Sequence, residues 1–384
     1  MTNDMTRRGV IGLGVGAAAA STVGRTQPAD QRVGFAVVGL GKLALGQIVP
    51  GLRKCRNAKL TALVSGHPDK ANRIAAEEHL PAGSVYSYAD FDRIAANPAI
   101  DVVYIVLPNS MHAEYTIRAL KAGKHVLCEK PMASTVADAE AMVAAAKAAN
   151  RKLMIAYRCH YEPLNLEAMR RVRSGKLGKT RLVITKMLRQ STLSDPSDAW
   201  RLDMKMSGGG ALADMGIYGI NGARYLLNEE PTVVRATAQT NRNDPRFKST
   251  EDLITWEFRF PSGATAQGST SFDASDQMSF EVVGEHKRLV ADPGCFYGGN
   301  HLSEWQGGSR TEIPIHEVDQ FAREMDWMAD VVRGRAPMVS PGEEGLQDMR
   351  LIHAILESVA KNGAPVRTEF GYRRAVDPAA AVTG

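Results

Sequence analysis

The sequence predicts an N-terminal Rossmann domain, a doubly wound parallel α/β sheet, followed by an α+β domain built on a mainly antiparallel sheet. Three observations lead to this prediction. Short apolar runs alternate with amphipathic helical stretches up to about residue 156, strand-like segments then follow one another without helices, and the first apolar run leads into a glycine-rich turn. The length of 384 residues also favours two domains, because one hydrophobic core rarely serves so long a chain.

Nearly continuous apolar runs mark the strands of the first domain. Strands that are buried on both faces lose the apolar–polar alternation of half-exposed strands, and a helix between consecutive runs makes them parallel. Five such runs are separated by helical patterns: 33–38 (VGFAVV), 60–65 (LTALVS), 101–107 (DVVYIVL), 125–129 (HVLCE) and 153–156 (LMIA).

The pattern changes after Tyr157. Consecutive strands without crossover helices pair mostly in the antiparallel sense. We expect helices over 162–174 and 210–227, strands over 181–188, 232–240, 252–260 and 278–284, and a final packing helix over 344–363 that stops at Gly363. The expected divisions are a leader over 1–27, the Rossmann domain over 32–157, the α+β domain over 158–340, and the packing helix with its tail over 341–384.

Residues 1–27 have the pattern of a twin-arginine signal peptide. They begin polar, contain Thr6-Arg7-Arg8-Gly9, and continue as a mildly apolar Gly/Ala stretch to about Val23. That stretch is too short and too rich in glycine to anchor permanently in a bilayer. The pattern predicts a periplasmic protein that folds before export, and the alternative is an alanine-rich N-terminus with an accidental arginine pair.

Charge and composition exclude several classes of function. Of the net charge of +5, +2 lies in residues 1–27, and no basic run is interleaved with aromatic residues, so neither nucleic-acid nor membrane-surface binding is expected. No histidine cluster has metal-ligand spacing and no Ser-His-acid set is evident, so we expect neither a metal centre nor a hydrolase. The cysteines form no C-x-x-C pair and are predicted to be buried small residues without a disulfide framework: Cys55, Cys128, Cys159 and Cys295.

The first strand leads into the sequence Gly39-Leu40-Gly41-Lys42-Leu43-Ala44, a G-x-G-x-x-A turn. Gly39 permits the tight turn, Gly41 lets the backbone approach a pyrophosphate, and the small Ala44 lets the helix lie close to the strand. The position at the first strand-to-helix turn favours a dinucleotide site, in which Lys42 and Leu43 also lie, over a merely structural glycine turn.

The end of the second strand favours NADP over NAD. An NAD site usually has an acidic residue here for the ribose 2′-hydroxyl, but the sequence is Ser65-Gly66-His67. Ser65 offers a hydroxyl and Lys70, one helical turn later, offers a positive charge, which together suit a 2′-phosphate. Lys70 could equally be a solvated helix residue.

Further motifs are similar to those of one family of oxidoreductases. Glu129-Lys130-Pro131 follows the strand over 125–129, and with the glycine turn and Leu107-Pro108-Asn109-Ser110 it resembles the glucose-fructose oxidoreductase and inositol dehydrogenase (Gfo/Idh/MocA) family. The similarity extends from about residue 33 to the C-terminus. Five segments resemble the glucose-fructose oxidoreductase branch itself: 157–161 (YRCHY), 200–202 (WRL), 208–210 (GGG), 214–219 (DMGIYG) and 340–345 (SPGEEG).

Three residues are the candidates for catalysis. Lys130 follows the carboxyl end of a parallel strand, at the crevice where open α/β sheets bind ligands, although it could instead be a surface lysine paired with Glu129. Asp214 and Tyr218 are four residues apart in a helical pattern and so share one face. A phenol titrates near pH 10, but an ammonium such as that of Lys130 would favour the phenolate and make Tyr218 a usable base. Asp214 could orient Lys130 or cap the turn at 208–210 rather than bind sugar.

The resemblance implies more residues on the cofactor side of the site. In the glucose-fructose oxidoreductase branch, the residues that match Arg158, Trp200 and Arg201 extend toward the cofactor from the second domain or from the junction of the two domains. The alternative is that these side chains only form ordinary ion pairs or pack in the core. The remaining matches are Tyr88, Leu107, Pro108, Asn109, His112, Glu129 and Tyr297.

The activity that the resemblance implies is hydride transfer between sugars. Tyr218 would take the anomeric hydroxyl proton as an aldose is oxidised at C1 to its lactone by tightly bound NADP, and a second sugar would then be reduced to an alditol, such as sorbitol, in a ping-pong cycle. This is the glucose-fructose or aldose-aldose oxidoreductase type. An NADP-dependent aldose 1-dehydrogenase that exchanges its cofactor is the nearer alternative, and a non-catalytic NADP or sugar sensor is the more distant one. The long arm that precedes the first strand in glucose-fructose oxidoreductases, and that helps to hold their cofactor and to make their tetramer, is missing or vestigial here, which leaves room for a dimer through the second sheet. The expected assembly is a homodimer or homotetramer through that sheet.

Overall fold

Six parallel strands form the first sheet of the computed structural model, which describes residues 31–369 and 371–382. They are β1 (Val33–Val38), β2 (Ala58–Val64), β3 (Val85–Tyr86), β4 (Val102–Ile105), β5 (His125–Glu129) and β6 (Leu153–Ala156). Their order is β3-β2-β1-β4-β5-β6. The predicted leader over 1–27 and its arginine pair lie outside the described residues.

Helices cover both faces of this sheet, and β1 and β4 are entirely buried between them. The α-helices are α1 (Val49–Lys54), α2 (Pro68–Glu77), α3 (Asn109–Lys121) and α4 (Val136–Ala149), with a π-helical turn at Ala44–Ile48 and a 3₁₀ helix at Phe91–Ala96. The strand order reverses between β1 and β4, which opens a crevice at the carboxyl ends of these strands.

Nine strands form the second sheet. They are β7 (Thr180–Gln190), β8 (Val233–Gln239), β9 (Leu253–Arg259), β10 (Thr265–Ser271), β11 (Asp273–Gly284), β12 (Arg288–Ala291), β13 (Leu302–Gln306), β14 (Ser309–Ile313) and β15 (Val366–Arg367). Their order is β14-β13-β12-β11-β7-β10-β9-β8-β15, and only β7 and β10 pair in parallel. The predicted fold class, a parallel Rossmann sheet followed by an α+β part on a mainly antiparallel sheet, is confirmed.

The remaining helices connect or cover the two sheets. The α-helices are α5 (Pro163–Arg173), α6 (Pro196–Ala199), α7 (Met204–Ser207), α8 (Ile217–Leu227), α9 (Gln320–Val332), α10 (Gly342–Ala360) and α11 (Pro378–Ala381). Short 3₁₀ helices lie at Arg158–His160, Trp200–Leu202 and Pro245–Phe247, and a π-helical turn at Leu212–Gly216 leads directly into α8.

Two late helices pack on the first sheet although they follow most of the second sheet in the chain. The apolar face of α9 lies against α1 and β2, with Met325 and Met328 fully buried there. Helix α10 packs against α4 and β6 on one side and against β8 and β15 on the other. The described chain from Arg32 onward is therefore one compact unit, and the predicted domain boundaries stay predictions.

Small differences from the predicted elements have local causes. The strand predicted over 101–107 ends at Ile105, because Pro108 fixes the backbone that precedes α3. Helix α10 ends at Ala360, and the chain then turns through Asn362 and Gly363, with φ +54° and +85°, while the Gly363 amide donates to the Ser358 carbonyl oxygen; the helix thus ends near the predicted residue.

Among the residues that the structure describes, no helix has the length and apolar character needed to span a bilayer. The same residues contain no cluster of three or more His, Cys, Asp or Glu side chains arranged to hold a metal ion.

Candidate active site

The glycine-rich turn lies between β1 and the first helix with its backbone open to the crevice. Gly39 has φ +93°, and a Cβ there would lie 2.3 Å from the Val106 carbonyl oxygen. A Cβ on Gly41 would meet no atom within 4 Å, so the space above it is free for a bulky anion. Ala44 is fully buried against the sheet. The turn therefore has the tight corner, the open cradle and the close helix that pyrophosphate binding requires.

Two lysines flank this turn. The Lys70 ammonium donates a hydrogen bond to the Leu40 carbonyl oxygen, which holds its charge beside the turn rather than in bulk solvent. The Lys42 side chain points outward and forms an ion pair with Asp195, from the segment that follows β7. Leu43, the residue after Lys42, packs at the edge of the core beneath the turn.

The end of β2 carries no carboxylate. The Ser65 hydroxyl accepts a hydrogen bond from the His67 backbone amide. Gly66 lies against Tyr88, since a Cβ on Gly66 would be 3.1 Å from the Tyr88 ring, and Tyr88 in turn packs on Tyr115 at 5.3 Å between ring centroids. Ser65, Gly66 and Tyr88 thus adjoin one another at the predicted 2′-phosphate end of the crevice.

The segment from Leu107 to His112 does not lie wholly on the crevice. Pro108 caps the start of α3, and the Asn109 amide donates to the Ser207 carbonyl oxygen at 2.7 Å. His112 is fully buried, with Nδ1 2.9 Å from the Pro131 carbonyl oxygen and Nε2 2.8 Å from that of Leu107. The prediction that His112 lines the cofactor site is not matched by this geometry, because both ring nitrogens are engaged in joining two backbone segments.

Lys130 lies just past β5 and is held by Asp214. Its ammonium donates to the Asp214 backbone carbonyl oxygen at 2.8 Å and to Oδ1 at 3.3 Å. The alternative pairing with Glu129 is not present, because Glu129 is buried and accepts a hydrogen bond from the Tyr104 hydroxyl at 2.8 Å. Asp214 therefore orients Lys130, which is one of the roles expected for it from the sequence.

Tyr218, in the first turn of α8, lies between two cations. The Lys130 Nζ and the Arg158 Cζ are each 4.8 Å from its ring centroid, and Arg158 Nε donates to its hydroxyl oxygen at 3.1 Å. Burial raises the pKa of Tyr218, and the charge of Arg158 acts in the opposite direction. The prediction that Lys130 lowers this pKa is therefore wrong. Arg158 is the cation that contacts the hydroxyl, and the effect of burial on the pKa of Tyr218 is larger than the effect of Arg158.

Asp214 stays ionised despite its burial. Burial favours the neutral acid, but the charges of Arg201, Lys130 and Arg189 hold the pKa of Asp214 well below its usual range. Arg201 Nε lies 3.0 Å from Oδ2, and Arg189 Nε lies 3.8 Å from it. A permanent negative charge therefore faces the Lys130 ammonium.

The outer wall of this site contains two of the predicted aromatic residues. The Arg201 guanidinium stacks on the Trp200 indole at 4.4 Å from the ring centroid. Tyr297 is exposed, and the Arg158 guanidinium lies 4.7 Å from its ring centroid. Trp200, Arg201 and Tyr297 thus join the group around Lys130 and Tyr218, whereas Tyr88 and Lys70 lie at the opposite end of the crevice.

Two residues of the site were missed by sequence reasoning. Gln320 accepts from Arg158 Nη1 at 2.6 Å and so helps to aim the guanidinium, and Arg189 adds charge beside Asp214. Gln320 begins α9 directly after its N-cap residue Asp319, and this cap was the one available sign that a helix starts there. Nothing local in the sequence connects Gln320 to Arg158, which is 162 residues away.

Comparison with known proteins gives the same family for both parts of the chain. Residues 33–157 match the oxidoreductase family with an NAD-binding Rossmann fold, GFO/IDH/MocA, and residues 165–290 match the GFO/IDH/MocA C-terminal domain. A D-xylose 1-dehydrogenase [NADP(+)] of Haloarcula marismortui is 32% identical over 333 residues, which is 86% of this chain and 91% of the relative.

Solved structures have the same fold over most of the chain. The aldose-aldose oxidoreductase from Caulobacter crescentus, in complex with glycerol, is 40% identical, with a TM-score of 0.84 over 88% of this chain and 100% of the other. A 3-ketoreductase from Actinomadura kijaniata, in complex with NADP and TDP-benzene, is similar in fold at 22% identity, with a TM-score of 0.74 over 85% of this chain and 98% of the other. From its sequence, its fold and these relatives, the chain belongs to the GFO/IDH/MocA family of oxidoreductases.

Proposed function

We propose that the protein is an NADP-dependent sugar oxidoreductase that oxidises an aldose at C1 to its lactone and reduces a second sugar to an alditol. The observation on which this rests is the group formed by Lys130, Tyr218 and Arg158 at the carboxyl end of the parallel sheet. The similarity to an aldose-aldose oxidoreductase and to a D-xylose 1-dehydrogenase [NADP(+)] supports the substrate class and the cofactor.

The residues of the crevice fit NADP. The open space above Gly41 would receive the pyrophosphate, and the Lys70 ammonium beside the turn, with the Ser65 hydroxyl and no carboxylate at residues 65–67, suits a 2′-phosphate. When bound, the nicotinamide provides the electron-pair transfer that amino-acid side chains lack.

The proton is handled by the protein. Tyr218 accepts the proton of the anomeric hydroxyl during oxidation and returns a proton to the carbonyl oxygen of the second sugar. Arg158 stabilises the phenolate through the hydrogen bond to its oxygen. Lys130, fixed by Asp214, provides a second cation for the same sugar oxygen.

A ping-pong cycle with retained NADP is part of this proposal, and the segment around Asp195 supports it. The ion pair between Asp195 and Lys42 holds a segment of the second half of the chain against the glycine turn. Exchange of NADP at every turnover would make the protein an ordinary aldose 1-dehydrogenase, and a site without turnover would make it a sensor.

The test is the absorbance of the purified protein without added nucleotide. Glucose or xylose is expected to produce the reduced-nicotinamide band, and a second sugar is expected to discharge it. Loss of the nucleotide on dialysis would favour the dehydrogenase, and bound nucleotide that no sugar reduces would favour the sensor.

Tyr218→Phe is expected to lose about 10²- to 10⁴-fold in turnover while keeping the nucleotide, and normal turnover in this variant would remove Tyr218 from the mechanism.

We also propose export to the periplasm and assembly as a homodimer or homotetramer through the second sheet. The export proposal rests on the arginine pair of the leader, and replacing Arg7 and Arg8 together by lysine is expected to keep the protein in the cytoplasmic fraction. Light scattering of the purified protein measures the subunit number, and a monomer would contradict the assembly proposal.

A further inference from the structure

Two cysteines that are distant in sequence meet beside the candidate active site. Cys159 follows Arg158 in the 3₁₀ turn at Arg158–His160, and Cys295 lies in the loop between β12 and β13. Both line one cavity, whose wall also includes Lys130 and Tyr218. Arg158 holds the two segments together, because its Nη2 donates to the Cys295 carbonyl oxygen at 2.6 Å.

The two thiols line the same cavity and are chemically different. The neighbouring Cys295 thiol and the charge of Arg158 lower the pKa of Cys159 against the effect of burial. The neighbouring Cys159 thiol and burial raise the pKa of Cys295. Cys159 is half-buried, whereas only 3% of Cys295 is exposed. Cys159 is therefore accessible enough, and ionises readily enough, to be the attacking thiol. Cys295 is buried and stays protonated, which suits the resolving thiol.

We propose that Cys159 and Cys295 form a redox-active pair that a hydroperoxide converts to a disulfide. The spacing of 136 residues hides this pair in the sequence, which predicts only isolated buried cysteines.

The proposed oxidation has two balanced steps. The Cys159 thiolate attacks the peroxide O–O bond and takes one oxygen, forming a sulfenic acid, and the other oxygen leaves as water or an alcohol after taking up a proton. The Cys295 sulfur then attacks the Cys159 sulfur, the S–O bond breaks, and the leaving hydroxide takes up the proton of the Cys295 thiol and departs as water. The two thiols lose two electrons and the hydroperoxide gains them.

A disulfide here would change the candidate active site directly. Arg158 bonds both to the Cys295 backbone and to the Tyr218 hydroxyl, so drawing the two sulfurs into a covalent bond disturbs the cation that stabilises the phenolate. We expect reversible loss of sugar turnover on oxidation, and this consequence rests on the proposed function, whereas the disulfide itself does not.

The test is peptide mapping of the full chain after treatment with hydrogen peroxide, without reduction. Trypsin releases Cys159 in peptide 159–170 and Cys295 in peptide 289–310, and the expected product is these two peptides joined, lighter by two hydrogen atoms than their sum. Dithiothreitol should separate them. Intact thiols, oxygenated cysteines without a cross-link, or pairing with Cys55 or Cys128 would each overturn the proposal.

Matched variants make the result specific. Cys295→Ser and Cys295→Ala should both leave Cys159 as a sulfenic or more highly oxidised acid, and two variants guard against misfolding of one. Cys55→Ser removes a buried cysteine elsewhere and should form the cross-link as the natural chain does. Turnover of each protein is compared with its own untreated sample, and a cross-link that leaves turnover of the natural chain unchanged would overturn the coupling to the active site.

Discussion

Arg158 shows how one side chain decides the proton chemistry of the candidate site. It is buried and contacts the Tyr218 hydroxyl, the Gln320 side chain and the Cys295 backbone. Its charge opposes the burial that raises the pKa of Tyr218. A phenol in a buried pocket becomes a usable base only if a cation remains beside its oxygen.

Replacing Arg158 by glutamine is expected to raise the pKa of Tyr218 further. Sugar oxidation needs the phenolate, so its single-turnover rate below that pKa should fall about tenfold for each unit by which the pKa rises. Sugar reduction needs the protonated phenol and should fall less. The measurement is the single-turnover rate in each direction across the alkaline range, with Arg158→Lys as the charged control. Equal losses in both directions would contradict this role.

At the scale of the element, α8 carries Tyr218 and must lie close to β7 and β10. A Cβ on Gly219 would be 2.5 Å from Thr185 Oγ1 and 3.4 Å from the Trp256 ring, so the helix rests on the sheet through a glycine. Gly222, one turn later in the same helix, has no such neighbour within 4 Å. The depth of α8, and with it the position of Tyr218, therefore depends on Gly219.

Gly219→Ala is expected to lower the free energy of unfolding by about 1–3 kcal/mol, because the stiff Thr185 side chain has to move. Gly222→Ala should instead leave it unchanged or raise it by up to about 1 kcal/mol, because alanine is the better helix former. Denaturant unfolding of the two variants is the measurement. Equal effects would show that the contact with the sheet does not limit the approach of α8.

Features that depend on residues close together in the sequence could be predicted, and features that depend on contacts between distant residues could not. The strands of the first sheet and the glycine turn were predictable, because apolar runs and glycine spacing are local signals. The sequence was enough to predict that Lys130, Asp214 and Tyr218 lie together. It did not predict that Arg158 donates to the Tyr218 hydroxyl, because the direction of this buried side chain is set by residues far along the chain, such as Gln320. His112 has a residue type suited to a site, yet the carbonyl groups that occupy its ring nitrogens are visible only in the fold.

At the scale of the whole molecule, a buried ion cluster joins α8 to α10. Arg224 Nη2 donates to Glu344 at 2.8 Å, and Nη1 pairs with Asp348. Asp348 also accepts from the Tyr157 hydroxyl at 2.6 Å and from the Asn221 amide at 2.7 Å. The neighbours of Arg158 and Tyr218 are thereby tied to the last long helix.

Asp348→Ala leaves the Arg224 charge without one of its buried partners and is expected to cost about 3–5 kcal/mol of unfolding free energy. Glu343→Gln, on the exposed face of the same helix, breaks an ion pair with Lys147 and should cost at most about 1 kcal/mol. Thermal or denaturant unfolding compares the two, and similar small losses would mean that the cluster is not a source of stability.

Acid should destabilise the fold well above the range of carboxylate titration. Burial lowers the pKa of His160 to about 3, from the ordinary value of 6.5. Between pH 6.5 and about pH 3 the imidazole of His160 is protonated in the unfolded chain but neutral in the folded chain. The free energy of unfolding therefore keeps the full contribution of His160 above pH 6.5 and falls by up to about 1.4 kcal/mol per pH unit below it. Urea unfolding at a series of pH values measures the slope. His160→Gln should make the slope shallower without removing it, because burial also lowers the pKa of His112 and of His125. The exposed His67→Gln should leave the slope as it is, and an unchanged slope in the His160 variant would assign the acid sensitivity to other groups.

The placement of α10 against both sheets has a mechanical consequence. Helix α10 packs on α4 and β6 at one side and on β8 and β15 at the other. It therefore opposes a hinge motion that would separate the two sheets of the described chain. We therefore expect a nucleotide to enter and leave by movement of the short segment around Asp195, because its ion pair with the exposed Lys42 is weakened by solvent and opens easily.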